Sequence, residues 1–287
     1  MRAVHTRLDP KPLINDSWGD RLVPGAARGL ILEAALAGLD AGARVMAMAS
    51  PGTLVDRYLM ASPAYANVIF RSRYTEDALQ AAVAGGARQY VLIGAGFDSF
   101  ALRRPAFAAD LVIFEIDHPA TQALKTGRIA ACGITLPESV HFIAADLARR
   151  SVAQALSDSP FRPDLPAFFS WLGVTMYLSK EANFAALRSI ASCSMPGSEL
   201  AFTYLDEKAL DSPSESFQQL ANAVASVGEP FRCGFHPQAI AGDLRSCGLT
   251  LLEDLDSEQA AARYGRADLH GARTSRFSHL ALARVGL

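Results

Sequence analysis

Little in the 287 residues belongs to a metalloprotein, a disulfide-stapled scaffold or a membrane span. Only four cysteines occur, Cys132, Cys193, Cys233 and Cys247, far apart and with neither CxxC pairs nor zinc-type Cys/His spacing. No metal site and no disulfide framework is expected, and the thiols read as reduced ones in a cytoplasmic protein. The longest apolar tract, residues 29–39 (GLILEAALAGL), contains Glu33 and is too short to cross a bilayer. The first residues, MRAVHTRLDPKP, lack the apolar stretch of a signal peptide. A strong charge of either sign is also missing: 27 Lys and Arg oppose 29 Asp and Glu, for a net −2. No basic stripe is visible, so nucleic-acid binding has no electrostatic support and a small-molecule partner is expected.

What is present is a signature at residues 89–99, QYVLIGAGFDS. The apolar run Tyr90-Val91-Leu92-Ile93 suits a strand buried on both faces of a parallel sheet. It breaks at Gly94-Ala95-Gly96, where the backbone can approach a ligand, and Asp98 follows. A second strand at residues 111–116 (LVIFEI) runs into Asp117. Strand, glycine turn, crossover, strand and acid make a ribose-binding layout.

Strands and helices alternate from there. Residues 140–144, 167–172, 199–204, 249–252 and 279–284 read as further strands, with helices over 119–132, 148–156, 180–192 and 237–246. Upstream, residues 26–39 and 52–61 read as helices, and Thr75 as the N-cap of a helix over 76–84 that stops at Gly85-Gly86. The expectation is an α/β fold: a doubly wound sheet of about seven strands, Rossmann-like, whose last two strands form an antiparallel edge. Residues 1–70 form an N-terminal helical cap. Residues 71–287 form the ligand-binding domain, with a substrate lid inserted around 205–236.

Two nucleotides compete for the glycine loop. A dinucleotide would want a third glycine where Ser99 stands, and Phe97-Asp98 sets bulk and negative charge against a diphosphate. S-adenosylmethionine has no phosphate. Its ammonium and sulfonium welcome Asp98, its ribose diol suits Asp117, and its carboxylate calls for Arg71 or Arg73.

Here the residues resemble a known family. Arg71-Ser72-Arg73-Tyr74, QYVLIGAGFDS, FEIDHPATQALK (114–125), Ala145-Asp146-Leu147 and WLGVTMYLS (171–179) look, in that order, like the leucine carboxyl methyltransferase family. They resemble its bacterial branch of S-adenosylmethionine-dependent methyltransferases, which includes polyketide O-methyltransferases of the tetracenomycin type. The resemblance implies a class I methyltransferase fold and S-adenosyl-L-methionine as cofactor. It implies Arg71, with Arg73 as the alternative, on the methionyl carboxylate, and Gly94 and Gly96 cradling the methionine. Asp117 would hold the ribose, and Asp146 and Leu147 the adenine. One departure stands out: Leu172 occupies the position where eukaryotic members have Glu.

Simpler roles compete for the same residues. The glycines could form an ordinary turn, Asp117 a helix cap, Asp146 a strand end, and Arg71 and Arg73 partners of Glu76 and Asp77. No catalytic base stands out: His118 reads as structural and His141 as packed or exposed within a strand, while His236, in the GFHP turn, could look into the substrate side. An O-methyltransferase acting on a small carboxylic acid or phenol is expected. The alternatives are an NAD-dependent oxidoreductase and a catalytically silent S-adenosylmethionine-binding module.

Overall fold

A computed structural model describes residues 1–211, 214–226, 228–266, 269 and 277–286. Five helices precede the first strand region: α1 (Arg2–Leu8), α2 (Gly19–Leu22), α3 (Gly25–Ala37), α4 (Ala41–Met48) and α5 (Pro51–Ala61). The long α6 (Tyr65–Ala84) leads into β1 (Gln89–Ile93), then α7 (Phe100–Arg103), β2 (Val112–Asp117), α8 (Pro119–Ala131) and β3 (Val140–Ala144). α9 (Val152–Ser157), β4 (Ala167–Trp171), α10 (Lys180–Ser192), β5 (Glu199–Leu205) and α11 (Glu215–Ser226) follow. α12 (Ile240–Ser246), β6 (Leu249–Asp256), α13 (Ser257–Arg263) and β7 (Ser278–Val285) complete the order.

The seven strands form one sheet in the order β3-β2-β1-β4-β5-β7-β6. β1 to β5 pair in parallel, whereas β7 enters antiparallel between β5 and β6. β1 and β4 are fully buried, which explains why they read as unbroken apolar runs rather than alternating ones. Their side chains still divide by face. Val91, Ile93, Phe169 and Trp171 enter one core layer, and Tyr90, Leu92 and Phe168 the other, beneath α6 and α7. Local chemistry sets the helix starts. Ser179 accepts from the Ala182 amide, Ser151 and Gln154 form a capping box, and Pro119 opens α8 behind the His118 cap.

Thr75 is not a cap. α6 is continuous from Tyr65, since no glycine or proline interrupts residues 65–84, and Ile69, Phe70, Thr75 and Leu79 are buried along it. The helix thus crosses the boundary expected at residue 70. The helix expected from residue 148 starts at Val152, because Ser151 supplies the cap. Among the described residues, no helix is long and apolar enough to cross a membrane.

Candidate functional site

Strand order reverses on either side of β1, so a crevice opens at its carboxyl end, where open α/β sheets take ligands. A cavity of about 690 Å³ lies there. Its floor is Tyr90, Leu92, the loop from Ile93 to Asp98, Ser170 and Leu172. Val68, Arg71 and Ser72 of α6 form one wall, and α1, α2, α3 and α5 roof it.

The glycine loop is shaped for close approach. Gly94 (φ +66°) lies under Val174: a Cβ there would stand 2.6 Å from Val174 Cγ2. Gly96 (φ +51°) is different, since a Cβ on it would meet nothing within 4 Å. Its open side is space a ligand can take. Asp117, the last residue of β2, accepts from the Gly96 and His118 amides, the latter at 2.6 Å. The Ala145 amide bonds the Asp117 carbonyl at 2.8 Å, which sets Asp146 and Leu147 beside it at the end of β3. Asp146 accepts from the Ala148 amide at 3.0 Å and pairs with Arg149 at 3.5 Å. Asp117, Asp146 and Leu147 do not line the cavity but flank it, at the adjacent tips of β2 and β3.

Arg71 and Arg73 part company. Arg73 turns away, to Asp77 and the Leu13 carbonyl, and does not border the cavity. Arg71 borders it and, among the described residues, makes no hydrogen bond or ion pair. Its guanidinium crosses Gly173 so tightly that a Cβ there would stand 2.6 Å from Nη1. Burial, and then repulsion from Arg2, push Arg71 down to about 10, so it remains a cation at neutral pH.

Asp98 was expected to face a ligand cation. It is instead committed to Arg2 of α1 at 2.6 Å and to the Phe100 amide at 2.7 Å. Burial opposes its charge, but Arg2, Lys125 and Arg103 outweigh this and hold the carboxyl well below the usual range. Arg2 also pairs with buried Asp16 at 2.7 Å. Sequence reasoning missed Arg2, because its partner lies 96 residues away. It likewise missed Tyr90 and Ser170, which were hidden inside apolar strands. The roof was also unforeseen in detail: Ile31, Leu32, Val55 and Leu59 give it an apolar surface, and Arg7 ties α2 and α5 together through Asp20 and Asp56.

The segment expected as a lid, 205–236, contributes none of the described lining residues. It packs instead on the end of β4, where the Arg232 amide donates to the Met176 carbonyl at 2.7 Å and Phe217 joins Met176, Leu205 and Ala209. Residues 212, 213 and 227 of that segment lie outside the described ones. All four cysteines are free, and no cluster suited to a metal ion occurs among the described residues.

Comparison with known proteins agrees with this architecture. The family model described as leucine carboxyl methyltransferase matches residues 1–191. A Bacillus subtilis (strain 168) protein named "Putative S-adenosyl-L-methionine-dependent methyltransferase YktD" is 35% identical over 190 residues, 66% of this chain. The match spans 62% of that relative's length, under two thirds of it. In fold, the chain is similar to a crystal structure of a DUF574 family protein from Streptomyces avermitilis MA-4680. That similarity has a TM-score of 0.58 at 21% identity and covers 93% of this chain and 99% of the other. A crystal structure named as a putative methyltransferase, from Thermobifida fusca YX, has a TM-score of 0.59 at 15% identity, over 98% and 100%.

Proposed function

This chain belongs to the leucine carboxyl methyltransferase family, and from that premise we propose that it is an S-adenosylmethionine-dependent O-methyltransferase acting on a small carboxylic acid or acidic phenol. The observation that carries the reading is the Arg71 guanidinium, without a hydrogen bond or ion pair among the described residues, on a cavity that the open face of Gly96 also lines. A buried cation without a partner is costly unless an anionic ligand completes it. The cofactor's carboxylate would supply that anion, and Asp117, which flanks the cavity at the tip of the next strand, would hold the ribose. When bound, S-adenosylmethionine supplies an electrophilic methyl group on its sulfonium.

The chain's own residues orient, exclude water and leave the acceptor to ionise by itself. Asp20 and Asp56 are held by Arg7 and Asp98 by Arg2, so each carboxylate lining the cavity is already paired. No histidine occurs among the described lining residues. With no free base at hand, a carboxylate or an acidic phenol is favoured as nucleophile over an alcohol, which would need one. The apolar surface of Leu172, Ile31, Leu32, Val55 and Leu59 suits the body of such an acid and keeps water from the reacting groups.

Incubation with radiolabelled S-adenosylmethionine and a panel of aryl and alkyl carboxylic acids, phenols and alcohols tests the reading. Base-labile label on acids, or stable label on acidic phenols, is expected. Transfer to alcohols alone would overturn the choice of nucleophile, and S-adenosylmethionine binding without transfer to any class would favour a silent binding module.

A further inference from the structure

The oxygen acceptors on the cavity floor show a pattern that the cofactor reading above does not use. Tyr90 and Ser170 are 3% exposed each, sit on neighbouring strands and both line the cavity. Their hydroxyl oxygens are 2.9 Å apart, and neither has another hydrogen-bond partner among the described residues. The Tyr90 ring is fixed edge-on to Phe100 at 4.9 Å between centroids, which holds the phenol in place. Burial, and then the charge of Asp98, push that phenol far above its ordinary value, so it stays neutral. One proton is spent within the pair, which leaves lone pairs on both oxygens for a donor in the cavity.

A zwitterionic amino-acid end bound at Arg71 brings an ammonium that needs acceptors close by. The lining carboxylates are engaged by arginines, as above, and Leu172, which lines the cavity just past the end of β4, offers no side-chain acceptor. The Ser72 hydroxyl proton goes to the Val68 carbonyl at 2.7 Å. We propose that the Tyr90–Ser170 hydroxyl pair accepts the α-ammonium of the cofactor's methionyl end, with the field of Asp98 adding to the attraction. Arg71 reads the carboxylate and the pair reads the ammonium, so together they select an α-amino acid terminus. This assignment rests on S-adenosylmethionine being the ligand.

The test is calorimetric titration of the full chain with S-adenosylhomocysteine and with its analogue lacking the α-amino group. Tyr90→Phe and Ser170→Ala should each weaken S-adenosylhomocysteine by about tenfold or more, the usual effect of losing a hydrogen bond to a charged group. Both should leave the deamino analogue within about threefold of wild type. Two variants on different strands guard against one failing to fold. Equal losses for both ligands, or no loss for either, would overturn the assignment while the cofactor reading stands. Failure of the wild type to bind S-adenosylhomocysteine would overturn that reading and this one with it.

Discussion

Replacing Arg71 with methionine should make the empty protein more stable and the ligand useless to it. Among the described residues the guanidinium has no hydrogen-bond or ion-pair partner where it lies against Gly173, and burial together with Arg2 pushes it down to about 10. At about 1.4 kcal/mol per pK unit, holding the ion there costs on the order of 3 kcal/mol. Because the group borders the cavity, water offsets part of that, and R71M should gain about 1–2 kcal/mol, a rise of a few degrees in Tm. S-adenosylhomocysteine at a hundred times its dissociation constant should stabilise the wild type by about 2.7 kcal/mol. In R71M the same concentration should add less than about 1 kcal/mol, because the carboxylate has lost its cation. The stability advantage of R71M should therefore vanish or reverse on adding ligand. Thermal unfolding with and without S-adenosylhomocysteine reads both arms, with adenosine as a comparator whose affinity the variant keeps. A variant less stable than wild type when empty and equally stabilised by ligand would refute the reasoning.

Four further expectations follow from the geometry. Asp117→Ala should cost about 1–3 kcal/mol of affinity for adenosine and S-adenosylhomocysteine alike, since both carry the ribose; titration with each ligand checks it, and a loss confined to one of them would point elsewhere. Gly94→Ala should lower stability by more than about 2 kcal/mol, from left-handed strain plus the clash with Val174. Gly96→Ala, whose Cβ enters open space, should cost about 1–2 kcal/mol of stability yet abolish ligand binding; urea melts and titration separate the two. Glu115 is buried against Lys125, and burial raises its carboxyl to about 7 despite that partner. Raised in the fold, it adds stability that is fully present below its unfolded value and lost as pH climbs to about 7. Urea melts from pH 4.5 to 8 should show that decline in the wild type and a shallower one in Glu115→Gln; parallel profiles would remove Glu115 as the cause.

The parallel strands were legible because burial on both faces leaves continuous apolar runs, and their ends were marked by Gly94, Asp117 and Gly173. The antiparallel pairing of the last two strands was also visible. That β7 would slip between β5 and β6 was not, since strand order is a nonlocal choice. α1 was missed for a related reason. Its N-terminus has no side-chain cap, and it is held by buried Ala3 and Val4 and by the reach of Arg2 to Asp16 and Asp98. The spacing of Gly94, Gly96 and Asp117 was readable as a ligand-binding layout, whereas the roof over the cavity depends on how α1, α2, α3 and α5 dock. Asp98 shows the limit most clearly: its position beside the loop was readable, but the arginine that claims it was not.

Calorimetric titration of the wild-type chain with S-adenosylhomocysteine and, in parallel, with NAD tests the central claim most directly. The account predicts one-to-one binding of S-adenosylhomocysteine that R71M weakens by about twentyfold or more, and no heat from NAD. Binding of NAD with none of S-adenosylhomocysteine would contradict it.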